Sequence, residues 1–125
     1  MLRRTAFALM TIAAAAASAT ANAACDLARG RQLFETKCTT CHTASAGAEH
    51  SAGPNLHGVA GRQVASAKAF TYSEPLKALN FTWTHERLLE FVENPQSLAP
   101  GTFMAFTGVR RPADRESLVC YLESL

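Results

Sequence analysis

Apolar positions recur with the period of an α-helix in three segments of the chain. The first begins after Asp26, a residue type that caps helices, and continues to Lys37. The second begins at Thr84, where the sequence resembles a capping motif, and Pro95 stops it. Pro112 opens the third, because its fixed φ suits a first helical turn. The apolar residues of these predicted helices are Leu27, Leu33, Phe34, Leu88, Phe91, Val92, Leu118, Val119, Tyr121 and Leu122.

Between these segments the chain has no regular period. Glycine and proline interrupt residues 43–69 repeatedly, and residues 96–108 are irregular around a Pro-Gly pair. A short helix is expected from Ser73 to Leu79, and no run alternates with the period of a β-strand. The pattern predicts an all-α protein with three to five helices joined by long ordered loops. So little regular structure requires a large apolar ligand at the centre of the domain.

The N-terminal residues have the pattern of a secretory leader. Two arginines give a positive start, residues 5–19 are apolar or small, and Ala21 and Ala23 suit a signal peptidase. The apolar stretch is shorter than the about 20 residues of a membrane-spanning helix. We expect residues 1–23 to be a cleaved signal peptide, with an uncleaved amphipathic anchor as the alternative. Residues 24–125 then form one domain, which we expect in the periplasm.

Charge gives no reason to expect a nucleic-acid partner. The whole chain has 12 Lys and Arg against 10 Asp and Glu, but Arg3 and Arg4 belong to the leader. The remaining domain is therefore balanced and has no basic surplus for a phosphate backbone. Any partner that recognises charge must recognise local patches instead.

Cys38, Cys41 and His42 form the five-residue pattern Cys-Thr-Thr-Cys-His. Two thiols three residues apart on a helical turn reach the two vinyl groups on one edge of a porphyrin, and the adjacent histidine reaches the iron. A zinc site would need a second ligand pair, which Cys25 and Cys120 do not form at the required spacing. A thioredoxin-like pair lacks its βαβ pattern, while a plain disulfide or a chance match would give the motif no cofactor. We predict one covalently attached haem c.

Met104 is the candidate for the second axial ligand. It is the only methionine outside the predicted leader, and it lies in an irregular segment rather than on a helix face. Packing is the commonest role of a lone methionine. A His/Met pair, however, holds iron as an electron-transfer centre. With both faces of the iron occupied, substrate binding at the metal is disfavoured, and we expect the protein not to be an enzyme.

Together these motifs resemble the class I cytochromes c of the mitochondrial and short-chain bacterial type, over essentially all of residues 24–125. Met104 follows His42 by 62 residues, as in that family. Residues 53–58 (GPNLHG) and 100–106 (PGTFMAF) resemble the family's GPNLHG and PGTKMAF. The resemblance implies the cytochrome c fold, with its loops wrapped around the haem. It also implies that the protein shuttles single electrons.

The resemblance assigns roles to further residues of this sequence. The carbonyl of Pro54 is expected to accept a hydrogen bond from the ring of His42 and so to orient that ligand. The other residues expected to bind the haem are Arg62, Tyr72, Trp83 and Thr102. The positions expected at the crossing of the first and last helices are Gly30, Phe34, Leu118 and Tyr121. His50 and His57 match histidines that tie the long loop together, whereas we expect His85 to be solvated at the surface.

Three residues depart from the family's pattern. Phe103 replaces a common lysine, Phe91 replaces a tyrosine whose hydroxyl reaches the methionine sulfur, and Leu76 replaces an asparagine near a buried water. Our hypothesis is that the methionine side of the haem is drier and has fewer hydrogen bonds than is usual. The missing donor to sulfur should alter the reduction potential.

The two remaining cysteines, Cys25 and Cys120, allow more than one arrangement. A disulfide between them would clamp the first helix to the last, provided that their Cα atoms lie within about 7 Å. Alternatively, Cys120 is a small buried residue and Cys25 is free or joins two molecules. The residue pattern does not choose between these arrangements.

The family resemblance implies redox proteins as partners. The expected donor is a membrane quinol-oxidising complex, and the acceptor is a terminal oxidase or a photosynthetic centre. A dehydrogenase is the alternative partner, and we expect a monomer that meets its partners transiently. The expected domain has only three lysines, Lys37, Lys68 and Lys77, so steering should depend less on salt than in a lysine-rich relative. Two rival functions remain: a peroxidase or gas-binding protein in which Met104 detaches, and a subunit docked permanently on one redox enzyme.

Overall fold

The computed structural model describes residues 25–125, so the predicted leader and its cleavage site lie outside the described residues. Within these residues five helices follow one another: α1 (Leu27–Lys37), α2 (Glu74–Lys77), α3 (His85–Glu93), α4 (Pro95–Leu98) and α5 (Pro112–Glu123). The all-α prediction is confirmed. The only β-pairing within this part of the chain is one antiparallel bridge, between Gln63 and Thr82. None of its helices is long and apolar enough to cross a membrane.

Local signals account for the starts of α1 and α3. The carboxylate of Asp26 accepts a hydrogen bond from the N–H of Arg29 at 2.9 Å, and the hydroxyl of Thr84 accepts one from the N–H of Arg87 at 3.3 Å. Both are N-cap bonds of the kind that the sequence predicted. The expected irregular stretch 96–108 is wrong in its first residues, because Pro95 ends α3 and also occupies the first turn of α4.

α1 crosses α5 at close range, as the family resemblance implied. A Cβ on Gly30 would lie 2.0 Å from the backbone oxygen of Ser117, so only glycine fits at the crossing. The rings of Phe34 and Tyr121 lie beside this point, with their centroids 5.4 Å apart. Leu118 is completely buried in the core, but it is Ser117 that meets Gly30.

A disulfide between Cys25 and Cys120 ties the start of α1 to α5. Their Cα atoms are 5.9 Å apart, within the range that a disulfide spans. The guanidinium of Arg29 adds a bidentate ion pair to the two carboxylate oxygens of Asp114, at 2.9 and 3.0 Å. Of the arrangements that the sequence left open, the structure has the intramolecular bridge.

His85 joins α3 to α5. Its side chain lies at the surface as expected, but it is paired with two carboxylates, which the sequence did not predict. Its Nε2 lies 3.0 Å from a carboxylate oxygen of Glu116, and its Nδ1 lies 3.1 Å from one of Glu123. Burial by itself lowers the pKa of His85, but the hydrogen bonds and negative charges of the two glutamates outweigh it and raise the pKa above its ordinary value. The sequence placed His85 at the start of a helix and did not show which helix faces it.

Side-chain hydrogen bonds organise the long loop that follows α1. The amide of Asn55 donates to two loop carbonyls at 2.8 Å. His50 accepts from the N–H of Asn55 at 2.9 Å through one ring nitrogen, while the other lies 2.8 Å from the carbonyl of Lys68. His50 therefore ties the loop as expected. His57 does not share that role, because its side chain is exposed and forms no hydrogen bond within residues 25–125.

Candidate functional site

A cavity of about 320 Å³ opens between the helices and the two irregular segments, within the size range of cofactor sites. All nine residues predicted for the site line it: Cys38, Cys41, His42, Pro54, Arg62, Tyr72, Trp83, Thr102 and Met104. Most of the other side chains in its wall are apolar, among them Leu56, Val59, Phe70, Leu76, Leu88, Phe91, Val92, Leu118 and Leu122. The fold therefore brings together residues that are as many as 66 positions apart in the sequence.

The turn after α1 carries three of these residues on one stretch of backbone. Cys38 is the C-cap of α1, and its carbonyl accepts hydrogen bonds from the N–H groups of Cys41 and His42 at 3.0 and 2.9 Å. This turn brings both thiols and the imidazole to the same cavity. Neither Cys38 nor Cys41 is part of a disulfide, so both sulfurs are free to form thioethers. Burial raises the pKa of the Cys38 thiol to about 11.

His42 is held in one orientation by its neighbours. Its Nδ1 lies 2.8 Å from the carbonyl oxygen of Pro54, which confirms the expected hydrogen bond. Because a carbonyl only accepts, Nδ1 carries a hydrogen, and in the neutral ring Nε2 then has a free lone pair. Gly53 packs directly on the ring, where a Cβ would lie 2.4 Å from Cε1. Burial lowers the pKa of His42, and this favours the neutral form that binds a metal.

Met104 lies in the other irregular segment, after α4. Its side chain is half-buried and lines the cavity, and its N–H lies 3.4 Å from the hydroxyl oxygen of the buried Thr102. Phe91 and Leu76 are both buried in the cavity wall, where the family more often has a tyrosine and an asparagine. Neither side chain offers a polar atom, which agrees with the hypothesis of a drier methionine side.

Polar groups gather at another part of the cavity wall. The guanidinium of Arg62 donates to the backbone oxygen of Asn55 at 3.1 Å, which fixes the side chain against the loop. The hydroxyl oxygen of Tyr72 accepts from the N–H of Ala67 at 3.2 Å and keeps its own hydrogen for another acceptor. Trp83 is buried, with its ring centroid 5.0 Å from that of Phe91.

Ser73 is the residue that the sequence reasoning missed. It is 2% exposed and lines the cavity, and its hydroxyl is the one buried side-chain polar atom in residues 25–125 with no hydrogen-bond partner. The sequence placed Ser73 at the start of a helix, but the hydroxyl forms no capping bond with α2. A buried hydroxyl without a partner costs about 1–3 kcal/mol. Its position next to Tyr72 was the available signal for a role in the cavity.

Comparison with known proteins agrees with this geometry. A family model described as cytochrome c matches residues 27–125. The chain belongs to the cytochrome c family. The cytochrome c of Cochliobolus lunatus is 42% identical over 98 residues, covering 78% of this chain and 91% of the relative. Those of Arabidopsis thaliana and Chlamydomonas reinhardtii are 41% and 43% identical over 98 residues, covering 78% of this chain and 88% of each relative.

As a member of the cytochrome c family, the protein carries one covalently attached haem c with iron and is a haem-based electron carrier. The cavity fits that group in three respects. It has two free thiols, a neutral imidazole with a free lone pair, and apolar walls. The hydroxyl of Ser73 has no partner and the hydroxyl of Tyr72 keeps its own hydrogen, so both side chains have a donor to offer to a polar group in this cavity. The class I cytochrome c that the motifs indicated is thus confirmed at the level of family, fold and cofactor.

Proposed function

We propose that the protein is a soluble periplasmic electron carrier in which His42 and Met104 would hold the haem iron. The observation that carries the proposal is their common position: both line one cavity with the free thiols of Cys38 and Cys41. Nitrogen and thioether ligands together favour electron transfer at a raised reduction potential. Since both ligands come from the chain, the metal offers no position for a substrate, and the protein is not an enzyme.

Each residue of the site has a defined task in this proposal. Cys38 and Cys41 form the thioethers, and the carbonyl of Pro54 keeps Nε2 of His42 directed at the metal. A haem held by these residues would supply one-electron chemistry between a reduced donor and an oxidised acceptor. Burial of the porphyrin carboxylates would cost free energy unless polar groups interact with them. The residues proposed to offset this cost are Arg62, Tyr72, Trp83 and Thr102. The packed apolar wall keeps water out and limits movement of the ligands between the two redox states.

The surface around Phe103 is the proposed contact with redox partners. Phe103 lines the cavity and is 75% exposed, an unusual position for a large apolar side chain. Of the three lysines, Lys37 lies at the cavity, while Lys77 forms an ion pair with Glu74. A face of this composition suits brief encounters of a monomer with a quinol-oxidising complex and with a terminal oxidase, photosynthetic centre or dehydrogenase. These encounters should depend only weakly on salt.

The periplasmic location rests on the leader. Residues 1–23 match the pattern of a cleaved signal peptide, which leaves residues 24–125 as the mature domain. The disulfide between Cys25 and Cys120 supports secretion, because such bonds persist in oxidising compartments. The relatives named above come from eukaryotic organisms, so they do not bear on the periplasm. Intact mass of the protein secreted by a bacterial host tests the leader: a chain that begins at Ala24 supports it, and one that retains Met1 contradicts it.

The optical spectrum of the matured protein tests the ligand set. We expect a low-spin c-type spectrum with the weak far-red band of iron–sulfur ligation in the oxidised form, and slow binding of cyanide. The Met104→Ala variant should lose the band and bind cyanide at once. Leu56→Ala, which changes the same cavity without removing a ligand, should keep both properties of the wild type. A high-spin wild-type spectrum would contradict the proposal and favour the peroxidase or gas-binding alternative.

Association state and salt dependence test the proposed mode of partner contact. Sedimentation should show a monomer, and the rate of reduction by a quinol-oxidising complex should change little between low and physiological salt. Phe103→Lys should make that rate fall as salt rises, because it adds a cation to the contact face. Co-purification with one redox enzyme in a fixed ratio would instead identify a permanently docked subunit.

A further inference from the structure

The segment that carries Met104, residues 103–108, has few hydrogen bonds of its own; we call it the methionine segment. It is attached at its start, where the N–H of Thr102 donates to the carbonyl of Ala99 at 2.9 Å, and at its end, where the N–H of Val109 donates to the carbonyl of Val92 at 2.8 Å. In the described structure, the only backbone group of residues 103–108 with a partner is the N–H of Met104. The position of the methionine therefore depends on what holds the two ends.

At the end of the segment the attachment is steric as well as polar. Gly108 has a φ of +94°, and a Cβ on it would lie 1.8 Å from the backbone oxygen of Glu93 at the end of α3. The chain can pass this point only in one narrow conformation. The end that follows Met104 is thus held by backbone contacts, to which Arg115 adds a side-chain hydrogen bond from Nη1 to the carbonyl of Val109 at 3.0 Å.

At the start of the segment, a side chain holds the backbone in place. The amide of Gln96, in α4, donates from Nε2 to the carbonyl of Thr102 at 3.0 Å and accepts at Oε1 from the N–H of Gly101 at 3.0 Å. The carbonyl of Thr102 needs a donor and the N–H of Gly101 needs an acceptor. The side-chain amide of a glutamine supplies both at once. The residues that it holds lie two and three positions before Met104.

We propose that Gln96 is a positioning residue for Met104, and that its two hydrogen bonds hold the methionine segment against α4. The inference rests on the proposed function, in which Met104 is an axial ligand. Gln96 itself is exposed, and its neighbour Pro95 provides the buried anchor of α4. Removing the amide therefore loosens the segment without opening the core.

Cyanide binding to the oxidised holoprotein tests the proposal. Cyanide enters when the methionine segment moves away, so Gln96→Ala should bind it roughly five- to thirtyfold faster than the wild type. Gln96→Glu keeps an acceptor for Gly101 but loses the donor to Thr102, so it should also bind faster and should have a weaker far-red band. Gln63→Ala is the matched control, because Gln63 donates a hydrogen bond to Asn80 away from the cavity.

Measurements on the wild-type protein separate the role proposed for Gln96 from the ligand set on which it rests. A wild-type protein without the far-red band would overturn the ligand set and the role of Gln96 together. A wild-type protein with the band, and Gln96 variants whose cyanide rate is within twofold of it, would overturn the role of Gln96 alone. Two observations together would establish Gln96 as a positioning residue: faster cyanide binding in both Gln96 variants, and an unfolding midpoint equal to that of Gln63→Ala.

Discussion

The helical frame and the cavity loops of this protein are held together in different ways. We define the helical frame as α1, α5 and the Cys25–Cys120 disulfide, and the cavity loops as residues 38–73 and 99–109. The frame is closed by a covalent bond, a bidentate ion pair and a core that includes the fully buried Leu118. The loops hold the candidate ligands through a few hydrogen bonds, among them that between His42 and the carbonyl of Pro54 and the two that Gln96 forms close to Met104. We infer that the frame sets the stability and the loops set the chemistry of the iron.

Removal of the disulfide is expected to have the largest effect on stability. It joins residues 95 positions apart, and loss of such a bond costs about 2–5 kcal/mol of unfolding free energy. The double variant Cys25→Ser/Cys120→Ser should therefore unfold at a lower denaturant concentration. Its optical spectrum and cyanide rate should match the wild type, because no cavity residue has changed. A loss of the far-red band in the folded variant would show that the frame also controls the ligands.

The same substitution at two glycines compares the regions directly. An added Cβ would lie 2.0 Å from the backbone oxygen of Ser117 in Gly30→Ala, and 2.4 Å from Cε1 of His42 in Gly53→Ala. Each clash should lower the unfolding free energy by about 1–3 kcal/mol in denaturant titrations. Only Gly53→Ala should also change the spectrum and the reduction potential, because it displaces a ligand. Equal spectral changes in both variants would remove the distinction.

Phe91→Tyr tests the dry methionine side. A hydroxyl at this buried position can donate to the sulfur of Met104, so the reduction potential and the cyanide rate should both shift while the unfolding free energy changes by about 1 kcal/mol. Phe81→Tyr is the control, since Phe81 packs on Trp83 at a ring distance of 5.0 Å but does not line the cavity. Unchanged potential and exchange rate in Phe91→Tyr would contradict the hypothesis.

The pH dependence of stability should show the smallest effect. Because the folded-state pKa of His85 is raised, its pairing with Glu116 and Glu123 is fully stabilising below the ordinary pKa of about 6.5 and is lost as pH rises through the raised value. The side chain is 33% exposed, so we expect about 0.5 kcal/mol. Unfolding titrations on both sides of this range should show the loss in the wild type and not in His85→Gln. If the unfolding free energy of His85→Gln depended on pH as that of the wild type does, the role of His85 would be contradicted. The optical spectrum should be constant over this pH range.

Much of the frame and the site could be predicted because the signals are local. Asp26 and Thr84 cap helices through bonds that reach only three residues ahead. The residues of the motif at 38–42 lie on a single turn, and the spacing of the two cysteines fits the edge of a porphyrin. Resemblance to a family added the distant residues, from Pro54 to Met104, and the structure places all of them in one cavity.

The remaining features depend on which parts of the chain meet after folding. The partners of His85 lie 31 and 38 positions away, and those of Cys25 and Arg29 lie 95 and 85 away. Nothing in the local pattern shows that the hydroxyl of Ser73 lacks a partner. The sequence by itself determined α1, α3 and α5, the two thiols and His42, since these follow from signals among neighbouring residues, and it left Met104 as the only methionine outside the predicted leader. Tertiary packing alone decided which side chains hold these residues in place, because such contacts depend on the distances between segments that lie far apart in the sequence. A local pattern of apolar residues carries no information about those distances.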